Sequence, residues 1–300
     1  MRFGLVGTGP WATMTHGPGL AAARGVDLVG VWGRAPDRTR SLAQRLGTAP
    51  YPTYEALLAD VDAVAFAVPP ATQAELAIAA ARAGKHLLLD KPVATDVEAA
   101  HALRDAAQHA GVASVVFFTD RFVERSRAWF REVGSTDGWH GGWIRWFTSL
   151  QEHDNPFGSS PWRQERGALW DIGPHALSTL DACLGPVESL TAASGHADLV
   201  ALTLRHRSGA LSTVVLSQFA PPAAAGFEVA VWGETGLSRM PPRPDDVFVQ
   251  ALATAAEELV TATGGRAHEL DVSFGVRGVE LIAEAQAQID GAGRRASPRR

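Results

Sequence analysis

The fold is decided by the stretch Arg2-Phe3-Gly4-Leu5-Val6-Gly7-Thr8-Gly9-Pro10-Trp11-Ala12. Its first part is short and apolar, which predicts a strand, and residues 7–12 follow with the spacing G-x-G-x-x-A. In such a turn the first glycine permits a tight bend, the second lets backbone approach a pyrophosphate, and the small third residue lets a helix pack on the strand. A helix predicted up to Ala23 completes the start of a β-α-β unit, so we favour a dinucleotide-binding turn over a plain tight turn.

The second predicted strand, Asp27 to Trp32, bears on the choice between NAD and NADP. In NAD-binding proteins an acidic residue about 20 positions after the glycines ends this strand and holds the ribose hydroxyls. Here Asp27 lies at the opposite end, the strand closes with Trp32-Gly33-Arg34, and Arg38 lies one turn further on. Arg34 is placed to meet a 2′-phosphate, which favours NADP, although a surface arginine or one stacked on adenine would suit either cofactor.

Helical and strand-like stretches alternate as far as residue 119. The predicted helices are Pro36–Leu46, Tyr54–Leu58, one capped by Thr72 that ends at Ala83 and one capped by Thr95 that ends at His109; the predicted strands are Val61–Val68, His86–Leu89 and Ser114–Thr119. This alternation is typical of a doubly wound parallel sheet, so we expect a Rossmann domain over residues 1–120.

A lysine follows a buried strand in Leu87-Leu88-Leu89-Asp90-Lys91-Pro92. Ligands of open parallel sheets bind outside the carboxyl ends of the strands, and Lys is rarely buried without a partner. Taken by itself the stretch fits a solvated loop between a strand and a helix. Beside a dinucleotide it also fits a fixed cation that stabilises a developing alkoxide.

The chain changes character after Arg121. The predicted strands there are Trp143–Thr148, Ser189–Ala193, Leu199–Arg205, Ala210–Ser217 and Phe227–Trp232, and the predicted helices are Val123–Val133, Ala168–Cys183, Asp246–Ala262 and Phe274–Gln288. Successive strands without long crossovers predict a largely antiparallel sheet. We therefore expect a second α/β domain over residues 121–290, which binds substrate, and a basic disordered tail over residues 291–300.

The chemistry of the second half is concentrated in Trp162-Arg163 and Gly167-Ala168-Leu169-Trp170-Asp171-Ile172-Gly173-Pro174-His175. On one helix Asp171 and His175 would share a face, and the carboxylate could orient the imidazole. Since Pro174 is tolerated only in a first turn, this segment is predicted to be an irregular helix start. A capping aspartate and a structural histidine remain the alternative for this pair.

The glycine turn, the segment Ala83-Gly84-Lys85-His86-Leu87-Leu88-Leu89-Asp90-Lys91-Pro92 and the pair Arg121-Phe122 resemble the Gfo/Idh/MocA family. This family comprises NAD(P)-dependent oxidoreductases of sugars, inositols and related polyols. The resemblance implies a Rossmann domain and a C-terminal α/β domain whose open sheet forms a homodimer or homotetramer interface. Asp90 replaces the family's usual Glu, Val68-Pro69-Pro70-Ala71-Thr72-Gln73 replaces Thr-Pro-Asn-x-x-His, and Ser178 replaces an Asp.

The resemblance also implies roles for individual residues. The implied catalytic set is Lys91, Asp171 and His175, and the implied substrate-binding set adds Trp162 and Arg163. The implied cofactor-binding residues are Gly7, Thr8, Gly9, Pro10, Trp11, Ala12, Gly33, Arg34, Arg38, Val68, Pro69, Gln73, Asp90, Lys91, Pro92 and Arg121. Alcohol oxidation needs a group that takes the hydroxyl proton, which suits His175, and a cation on the oxygen, which suits Lys91.

Composition sets the remaining expectations. The net charge of −5 argues against a nucleic-acid partner, and no window approaches the roughly 20 apolar residues of a membrane span. One cysteine, no signal-peptide layout and no metal-ligand spacing predict a cytoplasmic protein without a metal.

Two alternatives to a polyol oxidoreductase stay open. One is a cofactor-binding regulator or scaffold without turnover, which the altered Val68-Pro69-Pro70 loop, Asp90 and Ser178 favour and the intact Lys91, Asp171 and His175 oppose. The other is a reductase of a non-sugar diol or an imine.

Overall fold

A computed structural model of the chain describes residues 1–150, 158, 160–244 and 246–296, with side chains as far as residue 292. It has two compact units. The first comprises Met1–Val123 and Pro244–Val279, and the second comprises Glu124–Arg243 and the chain from Glu280. The sequence analysis places a single boundary at residue 120, whereas in the structure residues 244–279 return to the first unit.

The first unit is built on a parallel sheet of six strands. They are β1 (Arg2–Val6), β2 (Asp27–Trp32), β3 (Ala49–Pro50), β4 (Ala63–Phe66), β5 (His86–Asp90) and β6 (Ser114–Phe117). Their order across the sheet is β3-β2-β1-β4-β5-β6, with every neighbouring pair parallel. The winding direction reverses between β1 and β4, which confirms the predicted doubly wound sheet.

Apolar side chains of the central strands form the core of this unit. Phe3, Leu5, Phe66, Phe117 and the run 87–89 have no exposed surface. Continuous burial of this kind is expected when helices cover both faces of a parallel sheet. Because the strands are parallel and adjacent, the segments that follow β1, β4 and β5 leave the sheet at the same edge.

Helices cover this sheet. A π-helical turn (Ala12–His16) leads into α1 (Gly17–Ala22), and the next helices are α2 (Pro36–Leu46), α3 (Tyr54–Asp60), α4 (Pro70–Arg82) and α5 (Val97–Ala110). Two predicted caps are wrong. Pro69 is the N-cap of α4, so Thr72 lies inside its first turn, where Pro70 already supplies the helical φ. Asp96, and not Thr95, caps α5, because its carboxylate accepts the N–H of Ala99 at 2.8 Å.

The second unit is built on a mixed sheet of six strands. They are β7 (Trp139–Phe147), β8 (Val187–Ser194), β9 (Val200–His206), β10 (Leu211–Ser217), β11 (Gly226–Gly233) and β12 (Gly236–Arg239), in the order β12-β11-β7-β10-β9-β8. The β7–β10 pair is parallel and the other pairs are antiparallel, which confirms a largely antiparallel sheet. Burial alternates strictly along β9, so the sheet has one covered face and one open face.

Helices on the second unit include α6 (Glu124–Gly134), α7 (Pro161–Asp171) and α8 (Gly173–Leu184). The sequence predicts one helix over Ala168–Cys183, and this is wrong because the chain breaks at Ile172. Pro174 lies in the first turn of α8, where its missing N–H costs nothing. Pro174 therefore starts a helix, as its position predicts, and separates Asp171 from His175.

Two long helices complete the chain. They are α9 (Val247–Ala262) and α10 (Val272–Ala296). A Cβ on Gly19 of α1 would lie 2.8 Å from the Leu252 Cβ, so α9 approaches α1 closely and belongs to the first unit. Residues 291–296 continue α10 where the sequence predicts a disordered tail, and Gln286 donates to Asp290 one turn later. Residues 297–300 of that tail lie outside the described residues. None of the helices described combines the length and apolarity needed to cross a bilayer.

Candidate active site

The turn after β1 requires a glycine at its first position. Gly7 has a φ of +125°, and its N–H donates to the Trp32 carbonyl at 2.9 Å. A Cβ there would lie 2.3 Å from the carbonyl oxygen of Ala67, which follows β4. Ala12, the small third residue, is fully buried under the start of the helix. Both features agree with the packing roles of these positions in a dinucleotide-binding turn.

Gly9 is different from Gly7, since a Cβ at Gly9 would meet no atom of the described residues within 4 Å apart from its own chain neighbours. The space beside it is open, and the helix begins at once, with the Thr13 N–H donating to the Gly9 carbonyl at 3.0 Å. Thr8 and Trp11 are half-buried and Pro10 is exposed. An open backbone cradle at the start of a helix fits a pyrophosphate.

The end of β2 lies against this cradle. A Cβ on Gly33 would come within 2.8 Å of the Thr8 methyl group. The buried hydroxyl of Thr39 reaches back to the carbonyls of Gly33 and Ala35, at 3.2 and 3.0 Å, and so supports the turn. Arg34 is exposed on this turn. Arg38, on the first turns of α2, is exposed as well. Sequence reasoning missed Thr39, for which a threonine in a first helical turn is the available signal.

Gln73, on the helix that follows β4, holds the turn after β5. Val68 is half-buried and Pro69 is exposed, and Gln73 on α4 is 1% exposed. The Gln73 amide oxygen accepts the N–H of Asp90 at 2.8 Å, and its amide nitrogen donates to the Asp90 carbonyl at 2.8 Å. The sequence analysis expects Gln73 to contact the cofactor, whereas the structure directs both polar ends of its side chain to the backbone after β5.

Lys91 is the first residue after β5. Its backbone N–H donates to its neighbour Asp90 at Oδ1, 2.8 Å away, and the peptide bond to Pro92 is cis. Lys91 is half-buried, the carboxylate of Asp90 is 16% exposed and Pro92 is buried. The lysine thus leaves the sheet at the edge where the glycine turn begins.

His16 is a buried titratable group that sequence reasoning missed. It ends the π-helical turn and has no exposed surface, and its ring meets the edges of Trp11 and Phe117. Its Nε2 lies 3.9 Å from Oδ2 of Asp90. Burial lowers the pKa of His16, and the Asp90 carboxylate opposes that shift only in part. The imidazole therefore stays neutral near pH 7, next to the carboxylate that holds the Lys91 backbone.

Arg121 follows β6 in a short 3-10 turn, Thr119–Arg121. One guanidinium nitrogen donates to Glu269 at 2.9 Å, and the guanidinium carbon lies 6.0 Å from the centroid of the Phe274 ring. Its side chain is 11% exposed. The structure therefore ties Arg121 to Glu269, just before α10, and to the first turn of α10, within the first unit.

In the second unit Asp171 ends α7 and is held by two donors. Its Oδ2 accepts from Arg163 Nε at 2.9 Å and from Gln218 Nε2 at 2.5 Å, and the residue is 6% exposed. Such charge-assisted bonds fix a carboxylate firmly. The sequence analysis puts Asp171 and His175 on one face of one helix. This is wrong in detail, because they lie on two consecutive helices.

Asp198 supports that arrangement and was also missed. Its carboxylate accepts from the Ser217 hydroxyl at 2.7 Å, the Gln218 N–H at 2.8 Å and the Ala168 N–H at 3.2 Å. It therefore connects the end of β10 to α7 beside the kink at Gly167, whose φ is +63°. This contact spans loops far apart in sequence, so no local pattern reveals it.

His175 lies in the first turn of α8 and is half-buried. Its ring centroid is 5.7 Å from that of Trp146, which in turn is 4.6 Å from Phe227. The Arg243 guanidinium lies over both aromatic rings, at 5.4 and 4.9 Å. An imidazole next to an aromatic face and a cation can exchange a proton with a hydroxyl that rests on that face.

Three other residues named from the sequence lie close to these. The guanidinium of Arg163 is 5.0 Å from the ring of Trp162, so this pair is stacked at the start of α7. Ser178, where the family has Asp, is 2% exposed. Among the described residues no group of three or more His, Cys, Asp and Glu side chains is arranged to hold a metal ion.

Comparison with known proteins gives two matches to family models. Residues 1–118 match the model of an oxidoreductase family with an NAD-binding Rossmann fold, and residues 140–239 match the GFO/IDH/MocA C-terminal domain.

Single relatives agree with these models. An uncharacterised oxidoreductase from Rhizobium meliloti is 38% identical over 114 residues, which cover 37% of this chain and 34% of that protein. A D-xylose 1-dehydrogenase (NADP(+)) from Haloferax volcanii is 28% identical over 89% of this chain and 82% of its own. A crystal structure of an oxidoreductase from Agrobacterium radiobacter, in complex with NAD+, L-tartaric acid and magnesium, has the same fold, with a TM-score of 0.83 over 97% of both chains at 19% identity. The chain therefore belongs to the GFO/IDH/MocA family of oxidoreductases, with an NAD-binding Rossmann domain followed by the family's C-terminal domain.

Proposed function

We propose that this protein is an NAD(P)-dependent oxidoreductase that prefers NADP. Its reaction moves a hydride between the nicotinamide and a secondary alcohol or carbonyl carbon of a sugar, an inositol or a related polyol. We place it in the cytoplasm. Membership of the family supports the reaction type, and the residues of each unit support the roles below.

One observation carries the proposal: Lys91 follows β5 at the sheet edge where the glycine turn follows β1. The chain has two lysines, Lys85 and Lys91, against many arginines. A lysine at the carboxyl end of a central strand, half-buried and with a fixed backbone, suits a catalytic cation better than a solubilising charge.

The chemistry divides between two side chains. When bound, the nicotinamide ring supplies or accepts the hydride. Lys91 donates a hydrogen bond to the substrate oxygen and stabilises the negative charge that develops there in the alcohol direction. His175 takes the hydroxyl proton in that direction and returns it to the oxygen in the reverse one. Asp171, held by Arg163 and Gln218, fixes the geometry around the start of α8.

NADP preference rests on the end of β2. The position where NAD-binding proteins carry an acidic residue is part of the Trp32-Gly33-Arg34 turn, and Arg34 and Arg38 are both exposed there. The cradle at Gly9 and the close approach of Gly33 to Thr8 suit a dinucleotide of either kind. The relative from Haloferax volcanii is named as an NADP(+)-dependent enzyme, which supports the same preference.

A hydroxylated substrate agrees with the surroundings of His175. The ring of Trp146 beside the imidazole offers an apolar face for the C–H side of a sugar ring, and Arg243 offers hydrogen-bond donors for its hydroxyls. The relative from Haloferax volcanii, which matches over 89% of this chain, is named for D-xylose.

Self-association through the open sheet face is part of the proposal. Trp232 on β11 is 47% exposed and pairs with Leu237 on β12, which is 49% exposed. Leu211 on β10, 49% exposed, faces the same way, since it and Trp232 both pair with Gly141 on β7. Exposed apolar side chains grouped on one face are typical of a protein interface. Sedimentation that finds only monomer at micromolar protein would contradict this.

The catalytic assignment is tested with Lys91→Met, which keeps the side-chain length and removes the charge. We expect turnover with NADPH or NADP to be lost on a panel of polyols and aldoses, while NADPH affinity stays within about twofold, since the cation acts on the developing oxyanion. Lys85→Met, at the only other lysine, is the matched control and should keep turnover. Unchanged turnover of Lys91→Met would refute the assignment.

A further inference from the structure

Gln73 makes an unusually complete set of contacts with one backbone segment. Its side chain is 1% exposed. Its amide oxygen accepts the Asp90 N–H, and its amide nitrogen donates to the Asp90 carbonyl, each at 2.8 Å. The same nitrogen lies 3.3 Å from the Pro92 carbonyl oxygen and 3.4 Å from that of Val93. The acceptors are therefore the residues on both sides of Lys91.

These contacts replace a missing strand. Among the described strands, β4 pairs with β5 only as far as the register Ala65–Leu88, so Asp90 has no strand partner on the β4 side. On the other side Asp90 pairs with Phe117 of β6. The Gln73 amide offers one donor and one acceptor to the N–H and C=O of Asp90, as a neighbouring strand would. Asp90 is thus held from both sides up to the residue before Lys91.

The Lys91 backbone is fixed by the same group of contacts. Its N–H donates to Asp90 Oδ1 at 2.8 Å, and the residue after it contributes a carbonyl to Gln73. The backbone on both sides of Lys91 is therefore bonded to Gln73, and the N–H of Lys91 itself is bonded to the Asp90 side chain.

We propose that Gln73 is a positioning residue for Lys91, and that it does not bind the cofactor. The proposal rests on the proposed role of Lys91 as the cation on the substrate oxygen. Both polar ends of the Gln73 side chain are buried and bonded to residues 90–93, so they act through the lysine's backbone. A displacement of about 1 Å of a catalytic group can cost about a hundredfold in rate.

Two variants test this role. Gln73→Met keeps the shape and removes the donor and the acceptor. We expect kcat to fall about 10- to 100-fold, with KM and the Kd of NADPH within about twofold. Gln108→Met is the control, because Gln108 is exposed on α5 and its amide contacts only the Ser273 hydroxyl among the described residues; its kcat should not change.

Gln73→Glu adds a readout that a purely structural role would not move. The introduced carboxyl keeps an acceptor for the Asp90 N–H, but when ionised it repels the carbonyls that the amide nitrogen now bonds. Burial raises the pKa of such a carboxyl, so its protonated form, which restores the donor, grows as the pH falls. The ionisable side chains near this turn, Asp90, Lys91 and His16, are present in the parent protein as well. The ratio of variant to parent kcat at each pH therefore isolates the introduced group, and we expect it to rise at least about tenfold from pH 8 to pH 5.5.

Each outcome decides the matter. A fall in kcat for Gln73→Met at constant NADPH affinity, with a ratio for Gln73→Glu that rises in acid, supports the positioning role. Unchanged kcat, or an NADPH Kd that rises as much as kcat falls, overturns it. If Gln73→Met does not fold, the pH ratio of Gln73→Glu decides, and a flat ratio overturns the role. If Lys91→Met keeps turnover, both the proposed function and the positioning role are refuted. If Lys91→Met loses turnover while Gln73→Met keeps a normal kcat, only the positioning role is overturned.

Discussion

Replacing each glycine of the turn after β1 by alanine should separate folding from cofactor binding. At Gly7 the φ is +125°, and a residue with a side chain adopts this backbone conformation only at a cost of about 1–3 kcal/mol. The new Cβ would also lie 2.3 Å from the Ala67 carbonyl oxygen, and moving the end of β1 away from it costs about 1–3 kcal/mol more. We expect Gly7→Ala to lower the free energy of unfolding by about 2–6 kcal/mol, which lowers the Tm by about 3–10 °C in a protein of this size.

Gly9→Ala is the matched control within the same turn. Apart from its chain neighbours, no atom in the part of the chain that the structure describes lies within 4 Å of the added Cβ, so the free energy of unfolding should change by less than about 1 kcal/mol. The methyl group would occupy the cradle that we assign to the pyrophosphate. Loss of hydrogen bonds to a charged group costs about 1.5–3 kcal/mol, so the Kd of NADPH should rise about 10- to 100-fold.

The assays are a thermal unfolding scan of each protein without nucleotide and a titration with NADPH followed by tryptophan fluorescence, for which Trp11 lies on the turn. A Tm of Gly7→Ala equal to that of the parent would refute the strain argument. Normal NADPH affinity of Gly9→Ala would refute the assignment of the cradle.

Two further predictions concern the cofactor and the response to acid. Arg34→Ala should weaken NADPH binding about 10- to 100-fold, because a charge-assisted contact is lost, and NADH binding by less than about twofold. The control is Arg40→Ala, at an exposed arginine that is ion-paired with Asp37 on the same helix. Equal losses of affinity for both cofactors in Arg34→Ala would remove the case for NADP. Burial lowers the pKa of His16 and His206 below the usual value of 6.5. The unfolded chain therefore binds more protons than the folded one below that pH, and the free energy of unfolding falls as the pH drops from about 6.5, by up to about 1.4 kcal/mol per pH unit for each histidine. In urea unfolding, His206→Gln should reduce the difference in the free energy of unfolding between pH 7 and pH 5, whereas His109→Gln, at an exposed histidine, should leave it unchanged. The same difference in His206→Gln as in the parent would show that His206 does not contribute to the loss of stability in acid.

The fold could be read from the sequence because its signals are local. The bounds of β1 and β2 agree with the apolar runs Arg2–Val6 and Asp27–Trp32, and α2 is enclosed by Pro36 and Gly47 as predicted. Alternation of such elements is sufficient to predict a parallel sheet. The cap of α5 was placed one residue too early because Thr95 and Asp96 are adjacent and both are good caps.

The site was less readable because its contacts join distant segments. Gln73 bonds the backbone 17 to 20 residues later, and Asp198 bonds the N–H of Ala168, 30 residues earlier. The Asp171 carboxylate accepts from Arg163, which precedes it in the sequence, and from Gln218, which follows it 47 residues later. None of these pairs has a fixed spacing, so periodicity and motifs cannot find them.

The π-helical turn Ala12–His16 has a consequence for the evolution of this chain. Such a turn holds one residue more than an α-helix needs over the same length. Deleting one residue between positions 12 and 15 would therefore leave a continuous α-helix in which the side chains on either side of the deletion keep their faces. Length variation here would therefore leave the fold and the side chain that faces Asp90 unchanged. In natural variants of this chain, a one-residue deletion in this turn should be compatible with a histidine at the position of His16.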